Sequence, residues 1–222
     1  MAVDGNLIRC ENISFAYPGG ERVFEGLDFR LDEGERVGIL GPNGSGKSTL
    51  FYIIVGLLRP EAGTVTVDGE ILVRPDDFRR AREKVGLLFQ DADDQLFSPT
   101  VAEDVAFGPR NLGQSEETAQ ATVEETLGKL GIEGLARRVT HRLSGGEKRL
   151  VALATVLAMR PRVLLLDEPV AGLDSETTDR IADLLPRLGA CCAVISHDQA
   201  FLERTTPRIL RMEGGRISES GA

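Results

Sequence analysis

Apolar residues along this chain fall in short runs broken by glycine, proline and acidic positions. Residues 7–15 and 23–31 alternate in polarity and predict two strands, with Pro18-Gly19-Gly20 as the turn between them. The run 37–40 predicts a third strand. A glycine-rich turn follows, and 50–54 then open a helix. Pro60-Glu61-Ala62-Gly63 is a turn, and 64–69 form a β-branched strand closing on Asp68-Gly69. Residues 85–89 are apolar throughout, as in a core strand. From 91 to about 142 the chain becomes polar, acidic and helix-compatible. Thr100 and Glu103 form a capping box there, Gly108-Pro109 act as a stop signal, and a second helix covers about 115–130. An amphipathic helix is predicted over 145–159, with Leu150, Leu153, Ala154 and Leu157 on one face; Arg160-Pro161 end it. Strands at 163–166 and 191–195 flank a helix at 175–188. Alternating strand and helix predict a parallel sheet. The expected fold is therefore α/β, with antiparallel strands near the N-terminus and a helical insertion at about 91–142, in one domain spanning 1–222.

Composition narrows the classes. Of 222 residues, 41% are hydrophobic and 27% charged, values of an ordinary globular protein. The net charge of −9 argues against nucleic acid as a partner. No run approaches the roughly 18 apolar residues that cross a bilayer. Residues 1–6 lack a basic-then-apolar pattern, so no secretory signal is expected. Three cysteines without metal-ligand spacing suggest a reduced, cytosolic chain, with Cys191 and Cys192 acting as small buried residues.

The chemistry starts at 41–49, whose spacing is G-x-x-x-x-G-K-S between a strand and a helix. Such a loop wraps a triphosphate with backbone N–H groups and a helix N-terminus. Asn43, Gly44, Ser45, Gly46 and Thr49 belong to this cradle, Lys47 reaches the β- and γ-phosphates, and the Ser48 hydroxyl suits Mg²⁺. At the end of the 163–166 strand stand Asp167, suited to the Mg²⁺ shell, and Glu168, placed to polarise an attacking water. Ser144 and Glu147 form a capping box around Gly145-Gly146. Two glycines in a first helical turn cost stability. They make sense where a helix tip with free N–H groups approaches a γ-phosphate.

Leu143-Ser144-Gly145-Gly146-Glu147, lying between a phosphate loop and an Asp-Glu strand, resembles the signature of the ATP-binding cassette (ABC) family. The resemblance covers nearly the whole chain. It implies a P-loop NTPase with a RecA-like parallel-sheet core, an N-terminal antiparallel β subdomain and an inserted helical subdomain. By the same resemblance Tyr17 stacks on adenine and Gln90 contacts Mg²⁺ and senses the γ-phosphate. Asp174 belongs to the D-loop 171–174, and His197 contacts the γ-phosphate. His141 receives no role, and the acidic cluster 91–94 reads as a solvated loop.

The resemblance further implies two chains arranged head to tail, each lending its signature to ATP held by the other. An intact motif set suggests a homodimer. Residues 91–109 and 141–149 resemble energy-coupling-factor (ECF) importers of vitamins or of transition-metal ions, and the short C-terminus resembles the cobalt and nickel systems. Glu147 and Val170 depart from the common pattern, where glutamine and threonine or serine are frequent. The implied function is ATP hydrolysis driving cobalt or nickel uptake at the cytoplasmic face of the membrane, alongside integral membrane subunits. The alternatives are import of a vitamin or other solute, or a soluble ATP-driven switch. Leu96, Phe97, Val101, Val105 and Phe107 are expected either to anchor a helix of a membrane partner or to pack the insertion's own core.

Overall fold

The computed structural model describes residues 6–219. The expectation that the first residues carry no secretory signal concerns a segment largely outside them. Two sheets organise the chain. β1 (Asn6–Ala16), β2 (Arg22–Asp32), β4 (Ala62–Val67) and β5 (Glu70–Ile71) form an antiparallel sheet in the order β2-β1-β4-β5. The second sheet contains β3 (Arg36–Leu40), β6 (Val85–Leu88), β7 (Val163–Asp167), β8 (Cys191–Ile195), β9 (Arg208–Glu213) and β10 (Arg216–Glu219). Its order is β10-β9-β3-β8-β7-β6, parallel except for β10. β7 and β8 are buried at every position, which is why their sequences are continuous apolar runs rather than alternating ones.

α1 (Lys47–Ile54) buries Leu50, Phe51, Ile53 and Ile54 in one apolar cluster with Ile8, Ile13 and Phe24 of the first sheet. On the other face of the central sheet, α5 (Gly145–Ala158) packs Val151, Leu153 and Ala154 with α3 (Val101–Asn111) and α4 (Glu116–Leu130). Both capping boxes form, Thr100 with Glu103 and Ser144 with Glu147. Cys10, Cys191 and Cys192 are buried free thiols; burial pushes Cys10 and Cys192 up to about 12.

Several expectations need correction. Pro109 does not stop its helix: α3 runs through it to Asn111 and turns at Gly113, whose φ is +84°. The ring removes one N–H, but Leu112 N still donates to Gly108 O, and Gly113 N to Arg110 O. The helix predicted over 175–188 is α6 (Ser175–Leu184) followed by a 3₁₀ turn containing Pro186. Val101 and Val105 are not exposed anchors. They lie one turn apart on the inner face of α3 and are fully buried, while Leu96 is half-buried. Two helices went unpredicted, α2 (Pro75–Lys84) and α7 (Gln199–Thr205), as did the β9–β10 hairpin.

Candidate active site

The strand–turn–helix at 36–54 positions the phosphate loop. Gly46 caps α1 at φ +101°, and a Cβ there would stand 2.5 Å from the Phe24 ring. At Gly41 a Cβ would stand 2.1 Å from the Met212 carbonyl oxygen. The glycines are thus fixed by packing beneath the loop as well as by access above it. Lys47 is buried and donates from Nζ to the carbonyls of Gly41 and Pro42, both at 2.9 Å. Burial pulls its pKa down, against the opposing charges of Glu168 and Asp167.

A cleft of about 520 Å³ covers this loop. Among the predicted residues it gathers Tyr17, Asn43, Gly44, Gly46, Lys47, Ser48, Thr49, Gln90, Asp167, Glu168 and His197. Tyr17 packs edge-on against Phe15 at 5.0 Å, and its hydroxyl meets Thr49 Oγ1 at 3.1 Å. Gln90 leaves the end of β6 and is exposed toward the cleft.

The two carboxylates end β7. Glu168 takes a left-handed backbone, φ +52°, immediately before Pro169. Strain of this kind, on the order of 1–3 kcal/mol, collects at functional positions. Glu168 N donates to Ile195 O at 2.9 Å, which pins the turn to β8. Glu168 Oε2 lies 3.5 Å from Ser196 Oγ and accepts from His197 N at 3.4 Å. Burial raises the pKa of Glu168 and the neighbouring charge of Asp167 adds to it, while His197 and Lys47 oppose the rise. Burial likewise raises Asp167, against the Ser48 hydroxyl and the cations Lys47 and Arg149.

Three buried side-chain oxygens among the described residues have no hydrogen-bond partner: Ser45 Oγ, Asp167 Oδ2 and Glu168 Oε1. All three belong to the phosphate loop or to the carboxylate pair. Buried polar atoms are almost always paired, so such a cluster marks a place built for a polar guest. Asp167 Oδ2, the Ser48 hydroxyl and the Gln90 amide oxygen are hard oxygen donors, and Mg²⁺ takes oxygen ligands. These residues fit that ion.

Ser144, Gly145, Gly146, Glu147 and Asp174 do not line this cleft. Ser144 Oγ accepts from Glu147 N at 3.3 Å, and Glu147 Oε2 accepts from Ser144 N at 2.8 Å. Gly146 packs under the 171–174 turn; a Cβ there would meet Leu173 Cδ2 at 3.4 Å. A Cβ on Gly145 would meet nothing within 4 Å, so within the chain this helix tip faces open space. Asp174 caps α6 through Thr177 N and Thr177 Oγ1, both at 2.9 Å. The acidic segment 91–94 is a 3₁₀ turn in which Asp91 caps Asp93 N and Asp93 pairs with Lys148 at 2.5 Å. Among the described residues no group of acidic, histidine or cysteine side chains is arranged to hold a metal by itself.

Sequence reasoning missed Ser196 and Arg149. Ser196 sits one residue before the histidine that drew attention. Arg149 approaches only because α5 packs beside the end of β6, where its Nη1 donates to Phe89 O at 2.9 Å and its Nη2 to Gln90 O at 2.5 Å.

A second cleft, of about 380 Å³, opens beside the insertion and is walled by Leu57, Leu87, Phe97, Phe107 and Met159. Phe97 and Phe107 meet edge to face at 4.8 Å and are 67% and 46% exposed. Asp104, buried, holds the Phe97 turn by accepting from Phe97 N at 3.2 Å and Ser98 N at 2.8 Å, and it also takes a bond from Thr140 Oγ1 at 3.2 Å.

Residues 24–171 match the family described as ABC transporter. The chain is 44% identical over 219 residues to the energy-coupling factor transporter ATP-binding protein EcfA of Methanothermobacter thermautotrophicus, covering 97% of this chain and 70% of that protein. It is 46% identical over 220 residues to the cobalt import ATP-binding protein CbiO of Rhodobacter capsulatus, covering 97% and 79%. The dimeric, post-hydrolysis structure of the ATP-binding cassette MJ0796 bound to ADP and Pi superposes with a TM-score of 0.88 at 29% identity, covering 97% of this chain and 99% of that one. The phosphate loop, the carboxylate strand and the signature helix thus stand in the frame of a known class, and the chain belongs to the ABC transporter family as one of its ATP-hydrolysing cassettes.

Proposed function

We propose that this chain is the ATPase subunit of an ECF-type importer of a transition-metal ion, cobalt or nickel, acting as a homodimer on the cytoplasmic face of the membrane. The observation that carries this reading is likeness along 97% of the chain to an energy-coupling factor ATPase and to a cobalt import ATPase. Among the described residues no helix is long and apolar enough to cross a membrane, so passage of the ion falls to partner subunits. The exposed pair Phe97–Phe107 and the apolar walls around it suit a helix of such a partner.

The chemistry proceeds from the side chains already placed. Tyr17 leaves Thr49 and stacks on adenine. The 41–49 loop wraps the phosphates through its N–H groups, and Lys47 exchanges two loop carbonyls for phosphate oxygens. Ser48, Asp167 and Gln90 would hold Mg²⁺, which would supply charge neutralisation at the phosphates. Glu168 takes a proton from the attacking water; its raised pKa makes it a better proton acceptor than a solvated glutamate. His197 orients that carboxylate and faces the γ-phosphate. Ser144, Gly145 and Gly146 of a second copy close over the nucleotide, which accounts for a glycine tip with open space before it. Asp174, on the turn beneath that tip, belongs to the same contact.

The test is uptake. Co-expressed with its membrane partners, the wild-type chain is expected to drive cobalt or nickel accumulation, read by elemental analysis, and Glu168→Gln is expected to abolish it. Membrane complexes that accumulate neither metal would overturn the metal assignment. A chain that never fractionates with membranes would favour the soluble switch.

A further inference from the structure

Three side chains tie the segment after β6 to α5. Gln95 Oε1 accepts from Phe89 N at 3.2 Å, while its Nε2 donates to Ala152 O at 2.8 Å and Thr155 Oγ1 at 2.6 Å. Lys148 pairs with Asp93 at 2.5 Å. Arg149 differs from both in what it holds. Its two terminal nitrogens take the carbonyls of Phe89 and Gln90, at 2.9 and 2.5 Å. Those carbonyls belong to the peptide planes on either side of the Gln90 Cα. Fixing both planes leaves that Cα little torsional freedom and therefore sets the direction in which the Cα–Cβ bond of Gln90 leaves the backbone. A planar guanidinium suits this task, because its fork presents two donors at a fixed spacing.

The location gives the contact a consequence. Arg149 is half-buried and borders a cavity shared with Asn43, Gln90, Glu168 and His197, on the catalytic side of the chain. It also lies on the first turns of the helix whose tip is Ser144-Gly145-Gly146. We propose that Arg149 is the positioning residue for Gln90, and that through it the helix tip engaged by one nucleotide sets the glutamine serving the other. The proposal rests on the two-copy reading above. Under it, the two sites communicate inside each chain along one helix, and Gln90 is held for the reaction only while α5 keeps its place. Binding at one site then alters turnover at the other, a coupling free energy between sites.

The experiment is a double-mutant cycle on the purified full-length chain, with kcat, KM and the Hill coefficient for ATP measured for wild type, Gln90→Ala, Arg149→Gln and the double variant. Arg149→Gln is expected to lower kcat about tenfold with KM for ATP changed less than about twofold, the pattern of a lost transition-state arrangement. Its Hill coefficient is expected to fall toward one. If Arg149 acts through Gln90, the double variant matches Gln90→Ala, because the second change removes nothing further. Arg149→Lys keeps the charge but lacks the fork; it should recover part of kcat, and it carries the test if the glutamine variant does not fold. Multiplicative losses in the double variant, or a fully active and cooperative Arg149→Gln, would overturn the proposal while leaving the two-copy reading intact. A non-cooperative wild type that is active as a monomer would remove the two-copy reading, and this proposal with it.

Discussion

Nε2 of His197 stands 3.5 Å from Oε1 of Glu168, while the backbone N–H of the same histidine reaches Oε2 at 3.4 Å. One residue thus addresses both oxygens of the carboxylate. The glutamate is oriented from β8, the neighbouring strand, and its Oε1 has no hydrogen-bond partner. A general base needs this combination of a fixed direction and an available lone pair.

Glu168→Gln is expected to slow hydrolysis about 10²–10⁴-fold. ATP binding should survive, leaving a long-lived ATP-bound dimer visible by size-exclusion chromatography. Rapid turnover by this variant would reject Glu168 as the base.

The pH profile follows from the same carboxylate. Its folded-state pKa is raised above the ordinary glutamate value, chiefly by burial. Hydrolysis needs the ionised form, so the acid limb of kcat/KM should have its midpoint above the usual glutamate range. The stability linked to this proton is complete below the unfolded pKa and is lost as pH rises through the raised folded value. Glu168→Gln removes that loss. The variant should therefore be more stable than wild type at neutral pH, because it carries no charge that burial penalises. Thermal melts at acidic and neutral pH read this directly; the gap should close on the acid side.

Gly46→Ala tests the packing under the phosphate loop. The new methyl would lie 2.5 Å from the Phe24 ring at a backbone φ of +101°. Overpacking and left-handed strain together predict a loss of about 2–4 kcal/mol in stability. Denaturant unfolding should show it, accompanied by weaker ATP binding.

Much of this architecture was legible in the residues, and the parts that were not share a cause. The phosphate loop, the β7 carboxylates and both capping boxes are local motifs, decided by neighbours within a few positions. α2 escaped because only Asp77, Phe78 and Ala81 are buried in a segment otherwise rich in arginine and acid, so its apolar stripe is too thin to read. The β9–β10 hairpin did carry a signal: Gly214-Gly215 between alternating runs, with both glycines at positive φ. For Val101 and Val105 two roles stood open, and packing of the insertion's own core is the one realised: a helix placed on the surface still has an inward face, and their spacing of four marks it. The Arg149 bonds to Phe89 and Gln90 and the bond from Thr140 to Asp104 depend on segments brought together by the fold, and no spacing along the chain encodes them.

Phe97→Asp is expected to separate hydrolysis from coupling. Phe97 is 67% exposed and lies away from the phosphate cleft. A charge there should cost little stability and leave the ATPase activity of the isolated chain near wild type. Co-purification with membrane subunits and metal uptake should be lost. Unimpaired uptake would show that this apolar cleft is not where the membrane partner docks.

Mixing two inactive variants tests the central claim most directly. Lys47→Ala removes the phosphate-loop cation, and Ser144→Arg blocks the signature tip. A head-to-tail pair containing one of each regains a single intact site, so the equimolar mixture should recover measurable activity, up to about the quarter of the wild-type rate that independent sites would give and less where the sites are coupled. A mixture as inactive as its two components would contradict an ATP site shared between two copies.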